Sequence, residues 1–502
     1  MCGILGAYGG ETQISLQQQL ELLAHRGPDH QDALHLNDLV LGHTRLAIVD
    51  VENGQQPLQS PEGRYHLITN GEIYNHREIR QHMPDYPFQT NSDSEVIIAL
   101  YQQYGPRAVE RLDGMFAFAL YDADTDSIYL ARDPLGIKPL YYGWQGDTLY
   151  FASEIKSVHH IVDKLHEFPP GHYYHDGEFV QYFDLKGLAE GTADDPIPSL
   201  DDIRQNLTRA VRKRLMSDVP LGVYLSGGLD STIIAAIVAQ DIPNVHSFAV
   251  GVEGSKDLEN ARAVAHMLGT QHHEYIYDVD QILAALPKVI YHLESFDPSL
   301  VRSAIPNYFL AKMTREYVTV VLTGEGADEL YAGYHYLKGF DDEDTLSDEL
   351  IALTASLHNC NLQRCDRMTM AHSIEARVPF LDVDFVRQSM RVPKSLKIHP
   401  DTQTEKWALR QAFSDLVPDS VAWRRKEQFS EGAGSNDLLV AIAETQISDA
   451  EFAAESAAIK QQTGIEIESK EMLLYYREFD RRFSDKARAL VNLWRGETVH
   501  PN

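Results

Sequence analysis

Apolar residues along this chain follow two different rhythms, and the change between them divides it. Over the first 180 or so residues, short β-type runs at Ile4–Tyr8, Val40–Asp50, Tyr65–Thr69, Met115–Tyr121, Ser127–Arg132 and Thr148–Ala152 are separated by Gly, Pro, Asn and Asp. Ser15–Ala24 and Asp93–Tyr104 instead carry apolar residues at helical spacing. Strands in groups with helices set apart predict a layered α+β unit. From Leu185 to Leu200 periodicity lapses among Gly187, Gly191, Pro196, Pro198 and acidic residues, which reads as a linker. Beyond it strands and helices alternate: strand Leu221–Leu225, helix Ser231–Gln240, strand Val245–Val250, helix Leu258–Leu268 and, after a further helical stretch, strand Val318–Leu322. Alternation predicts a parallel, doubly wound α/β sheet with ligands at the carboxyl ends of its strands. After about Ser347 the pattern is mainly helical. The expected units are 1–186, a linker at 187–200, and 201–502.

Composition adds exclusions. Hydrophobic residues make up 43% of the 502 and charged residues 24%, which suits a soluble globular protein of more than one domain. Seventy-four acidic against 44 basic residues give a formal charge of −30, a field that repels phosphate backbones and anionic membranes, so no nucleic-acid or membrane partner is expected. The run Asp341-Asp342-Glu343-Asp344 reads as a solvated loop. Three cysteines (Cys2, Cys360 and Cys365) make no disulfide framework and suit a reducing cytoplasm. The spacing of Cys360 and Cys365 is not that of a zinc site. No apolar run approaches membrane-spanning length, and the first residues carry no secretory pattern.

Candidate chemistry sits at three places. In Met1-Cys2-Gly3-Ile4, removal of the initiator Met would put a thiol and an α-amine on one carbon, a nucleophile with a built-in base. Strand Leu221–Leu225 ends in Ser226-Gly227-Gly228-Leu229-Asp230-Ser231 and opens a helix. Two glycines and a helix N-terminus suit an anion, and Asp230 suits a magnesium ion that holds phosphate. No Gly-Lys dipeptide occurs, which excludes a P-loop with the Walker-type lysine. A second strand-end loop, Thr323-Gly324-Glu325-Gly326-Ala327-Asp328-Glu329, offers Asp328 as a further magnesium ligand and Glu325 as a proton acceptor or substrate-orienting group. Arg424-Arg425-Lys426 supplies cations in an acidic chain, and a lysine there could neutralise transferring phosphoryl oxygens.

These motifs, with Arg367-Met368 and Glu375-Ala376-Arg377-Val378-Pro379-Phe380-Leu381-Asp382, resemble the glutamine-dependent asparagine synthetases nearly end to end; the last sixty or so residues are less diagnostic. The resemblance implies a class II glutaminase domain of the N-terminal-nucleophile αββα fold, followed by a synthetase domain like the N-type ATP pyrophosphatases. It implies that Cys2 attacks the glutamine amide and that Asn70 and Gly71 form the oxyanion hole. Arg45, in Arg45-Leu46-Ala47-Ile48-Val49-Asp50, would hold the glutamine α-carboxylate, and Glu72 and Asp93 the α-amine. The His25-Arg26-Gly27-Pro28-Asp29 loop fits the family without a defined role. Around ATP it implies Tyr224, Leu225, Ser226, Gly227, Gly228, Ser231, Val250, Thr323 and Gly324, with magnesium on Asp230 and Asp328. Glu325 would serve β-aspartyl-adenylate formation and ammonia attack, and Lys426 adenylation. The implied reaction turns aspartate, glutamine, ATP and water into asparagine, glutamate, AMP and pyrophosphate, with ammonia passing through an internal tunnel, in a possible homodimer. Leu300 replaces a Thr of some members, and Thr323 a common Ser, leaving a related amidotransferase acting on another carboxylate as the alternative. A silent glutamine or nucleotide sensor would require lost site residues, and ring-closing β-lactam synthetase relatives lack the N-terminal nucleophile that Cys2 supplies.

Overall fold

A computed structural model describes residues 1–10, 15–190, 196–424 and 432–493. The first unit is built on two six-stranded antiparallel sheets. In spatial order the first holds Lys164–Glu167, Tyr141–Gln145, Thr148–Ala152, Gly3–Tyr8, Leu39–Arg45 and His30–Leu36. The second holds Glu178–Gln181, His172–His175, Ser127–Arg132, Gly114–Asp122, Tyr65–Ile73 and Leu58–Gln59. Their inner faces share one core, with Ile4, Leu41 and Phe151 meeting Ile68, Ala117 and Leu130. Helix Leu16–Glu21 packs with the outer face of the first sheet and helix Glu95–Tyr104 with that of the second, giving four layers, α-β-β-α. Central strands such as Gly114–Asp122 are buried on both faces and carry a nearly continuous apolar run.

The parallel sheet has five strands in the order Gln271–Ile276, His246–Gly251, Leu221–Tyr224, Val320–Leu322 and Glu375–Arg377. Helices Leu200–Lys213, Leu229–Asp241, Lys256–Leu268 and Val383–Met390 share the core on one face. Val279–Leu293, Pro298–Thr314 and Asn361–Met370 share the core on the other. That second core runs on without a break into the outer face of the first antiparallel sheet, through Leu5, Val40 and Tyr150, so the two units are packed as one body. Among the described residues no helix is long and apolar enough to cross a membrane.

Several sequence expectations are corrected. The strand expected over Val40–Asp50 ends at Arg45, and 46–51 is a loop. The strand expected to stop at Thr69 continues to Ile73, which puts Asn70, Gly71 and Glu72 inside a sheet. The expected linker begins with a helix, Leu185–Glu190, whose Leu185, Leu188 and Ala189 pack against the core of the parallel-sheet unit. The acidic run is exposed but not a loop: Asp342 caps helix Glu343–Ser356, accepting the Thr345 N–H at 2.8 Å. Carboxylates there complement the positive end of the helix dipole. The mainly helical C-terminal part also contributes strand Glu375–Arg377, paired in parallel with Val320–Leu322.

Leu322 is fully buried in a strand with partners on both sides. Leu322→Ala should cost about 2–5 kcal/mol through lost burial and the cavity left behind. Chemical denaturation checks this, and a loss under about 1 kcal/mol would mean the strand end is not close-packed.

Candidate functional site

The first site lies where strands of the two antiparallel sheets approach each other. Cys2 precedes strand Gly3–Tyr8 and is buried, its N–H donating to Asn70 Oδ1 at 3.0 Å. Asn70 Nδ2 is buried with no hydrogen-bond partner, a donor left over for a ligand. Gly71 is required by crowding, since a Cβ there would come within 2.2 Å of the Met115 carbonyl oxygen on the neighbouring strand. Burial pushes the Cys2 thiol up, opposed by the nearby α-ammonium, the Leu46 backbone N–H and Arg45. Arg45 folds back on its own loop, donating to Val51 O at 2.9 Å, Asp50 O at 2.6 Å and Val49 O at 3.4 Å. Those bonds shape the Leu46–Val49 stretch around Cys2 and use three of the five guanidinium donors.

Beside Cys2, buried charges from both units meet. Glu72 and Asp93 come from the first unit, Asp93 accepting the Ile73 N–H at 2.7 Å. Glu375 and Arg377 come from the last strand of the parallel sheet, joined to each other at 2.6 Å. The Met1 α-ammonium lies 3.0 Å from Glu375, and Arg377 Nη2 lies 3.5 Å from Glu72. Burial, then the Glu375 charge, drives the Asp93 carboxyl up to about 6, against the Ile73 and Ser94 N–H groups and Arg377. Burial, with Glu375 and Asp93, raises Glu72 well above the usual carboxylate range. Glu375 itself is held down to about 2: burial would raise it, but the α-ammonium and Arg377 outweigh burial. In the sequence, Glu375 and Arg377 stand out only as part of the family resemblance. Two charges flanking Ala376 within an apolar stretch were the available signal for a buried role.

The second site lies at the carboxyl ends of the parallel strands. Central strand Leu221–Tyr224 passes through the 225–228 turn into helix Leu229–Asp241. Gly227 has φ +71, and a Cβ there would lie 2.5 Å from Asn260 Cβ, so only glycine fits. Ser226 and Ser231 hydroxyls lie 3.1 Å apart and brace the turn. A cavity of about 1760 Å³ is lined by Tyr224, Leu225, Ser226, Gly228, Asp230 and Ser231, together with Val250, Thr323, Gly324, Glu325 and Asp328. That exceeds the roughly 300–1,000 Å³ of a single-ligand pocket, leaving room for a nucleotide and a second substrate. Gly227 supports the turn from outside the lining. Leu300, in the first turn of helix Pro298–Thr314, presents an apolar side chain to the cavity.

Asp230 and Asp328 converge as expected, but on a residue the sequence did not single out. Lys406 Nζ lies 2.5 Å from Asp230 Oδ2 and 2.6 Å from Asp328 Oδ1, from a backbone at φ 55. Glu325 is held by Arg364 Nη2 at 2.5 Å. Glu329 accepts from the Tyr334 hydroxyl at 2.5 Å and Asn361 at 3.1 Å, and burial followed by Asp328 pushes it up to about 7. Lys406, Arg364 and Asn361 carry no local motif, because each is defined by a partner dozens or hundreds of residues away. Arg424 pairs with Asp257 at 2.9 Å at the cavity wall. Lys426, the cation expected for adenylation, lies outside the described residues, as does Arg425.

Comparison with known proteins follows the same division. The profile of the glutamine amidotransferase domain matches residues 1–175, and that of asparagine synthase matches 202–341 and 338–499. The chain is 40% identical to the probable glutamine-hydrolysing asparagine synthetase of Schizosaccharomyces pombe, over 98% of this chain and 96% of that protein. It is 39% identical to asparagine synthetase B of Escherichia coli, over 96% and 91% respectively.

Removing the ammonium between two largely buried carboxylates leaves them uncompensated, so Lys406→Met should destabilise the fold by on the order of 3 kcal/mol. Urea denaturation near neutral pH measures it; unchanged stability would show that Lys406 does not hold the pair.

Proposed function

The chain belongs to the glutamine-hydrolysing asparagine synthetase family, and from that premise we propose how its residues divide one reaction between two sites. At the first, with Met1 removed, the Cys2 α-amine takes the thiol proton. The sulfur then attacks the glutamine side-chain carbonyl, with Asn70 Nδ2 and the Gly71 N–H receiving the oxyanion. Ammonia leaves with the proton, and water cleaves the thioester to glutamate. Glu72 and Asp93 hold the substrate ammonium, and the remaining Arg45 donors hold its carboxylate. The Met1 α-ammonium beside Glu375 supports this reading, because a carboxylate neighbouring Glu72 and Asp93 already accepts an ammonium group there.

At the second site, the β-carboxylate of aspartate attacks the α-phosphorus of ATP, releasing pyrophosphate and leaving a β-aspartyl-adenylate. Ammonia adds to the activated carbonyl, Glu325 takes a proton, and AMP departs. The Ser226–Ser231 turn and its helix N-terminus hold phosphate through backbone N–H groups. The observation that carries this reading is the convergence of that turn with the Thr323–Asp328 loop in one cavity.

Magnesium fits Asp230 and Asp328: two carboxylates that close on one ammonium at 2.5 and 2.6 Å also present the pair of oxygens that magnesium uses alongside substrate phosphates. When bound, the ion would neutralise triphosphate charge. Lys406 then becomes a second cation free to turn toward phosphate oxygens.

Cys2→Ala should abolish asparagine formation from glutamine while retaining formation from added ammonia; equal loss of both would remove Cys2 from the glutaminase role. The pH profile provides a second check. A free-enzyme Asp93 carboxyl near 6 is ionised at neutrality and gains a proton as pH falls, losing its attraction for the glutamine ammonium. kcat/KM for glutamine should therefore decline, by about tenfold per pH unit, below that value. A profile flat well below pH 6 would show that Asp93 does not carry the binding.

A further inference from the structure

Helix Asn361–Met370 reaches toward both sites. Arg364, 6% exposed in its side chain, bonds Glu325 in the strand-end cavity at 2.5 Å. Two residues further on, Asp366 accepts from Arg26 Nη1 at 2.8 Å and Nη2 at 3.2 Å. The same guanidinium donates through Nε to the Cys2 carbonyl at 3.0 Å and through Nη1 to Glu154 at 2.7 Å. Residues two apart on an α-helix leave its axis roughly 200° apart, so these side chains point in nearly opposite directions. One rigid element thus ends at Glu325 on one side and, through a single arginine, at the backbone of Cys2 on the other.

The connection is buried and over-determined. Arg26 is fully buried and Asp366 nearly so. Burial would raise Asp366, but Arg26 and Lys138 outweigh it and hold it down to about 2, so the ion pair persists at any working pH. The next residue, Arg367, binds Glu294 at 3.1 Å, and Glu294 accepts the N–H groups of Ile155 and Lys156 at 3.0 and 2.8 Å. A buried charge cannot leave its partner without a cost of several kcal/mol. Movement of the helix must therefore carry Arg26 and the Cys2 peptide with it.

We propose that Asp366 is a positioning residue for glutamine hydrolysis, and that helix Asn361–Met370 reports the state of the Glu325 site to Cys2. The inference rests on the functional reading above. An acceptor carboxylate or its adenylate beside Glu325 changes the charge that Arg364 faces. Any resulting shift of the helix moves the Asp366 fork, turns the Arg26 plane and resets the Cys2 carbonyl, and with it the approach of the sulfur to the Asn70 donor. Displacement of about 1 Å at a reacting group is worth on the order of a hundredfold in rate. Small motion is therefore enough to time ammonia release to the presence of its acceptor.

The test uses the full chain with Asp366→Asn, which keeps shape and an acceptor but loses the charge, and Arg26→Lys, which keeps the charge but loses the fork. For each, one would measure glutamate release with and without aspartate and ATP–magnesium, asparagine per glutamate, and asparagine from added ammonia. The expected result is faster glutamate release by the unaltered chain when aspartate and ATP are present. In both variants that response is lost and glutamate per asparagine rises several-fold, while ammonia-driven synthesis stays within about threefold. Asp366→Glu should recover part of the response. A response of unaltered size in the variants, its absence in the unaltered chain, or parallel loss of ammonia- and glutamine-driven synthesis in both variants would overturn the proposal. Failure of the underlying functional reading looks different: the unaltered chain would then yield no asparagine from aspartate.

Discussion

Everything at the meeting of the two units depends on charges that have no access to water. Arg26, Arg367 and Arg377 are all essentially fully buried, and each faces carboxylates drawn from both units. Desolvating so many ions is tolerable only where every one finds its counter-charge in correct geometry. That condition fixes the relative placement of the units far more sharply than apolar contact alone, because an apolar surface tolerates sliding and a buried ion pair does not.

The same constraint explains how an acidic protein handles anionic substrates. A formal charge of −30 works against triphosphate and aspartate at long range. Inside the cavity, Lys406, Arg364, Arg410 and Arg424 line the walls, each held by a carboxylate. These cations are pre-placed and their own desolvation is already compensated, so an incoming anion meets oriented charge instead of the global field.

Local motifs were legible in the sequence: Cys2, the Ser226–Ser231 turn and the Thr323–Asp328 loop each announce themselves within a few residues, whereas Asn70 and Gly71 entered only through the family resemblance. The central strands were legible too, since burial on both faces makes them continuous apolar runs. Edge strands were not. His30–Leu36 is partly exposed along its length and spells His-Gln-Asp-Ala-Leu-His-Leu, too polar to register as a strand, and the mostly exposed edge strand Glu178–Gln181 fails for the same reason. Lys406 and Asp366 were hidden differently. Their partners lie 176 and 340 residues away, and no spacing rule reaches that far.

Strand Glu375–Arg377 belongs by hydrogen bonding to the parallel sheet and by side-chain chemistry to the Cys2 site. The border between the two units in the folded protein is therefore not the border in the chain. A glutaminase unit cut at the chain's apparent junction would leave behind two of the charges that complete its own pocket. Exchange of such units between enzymes, by evolution or by design, would have to carry a three-residue strand across some two hundred intervening residues, or else reinvent the counter-charges.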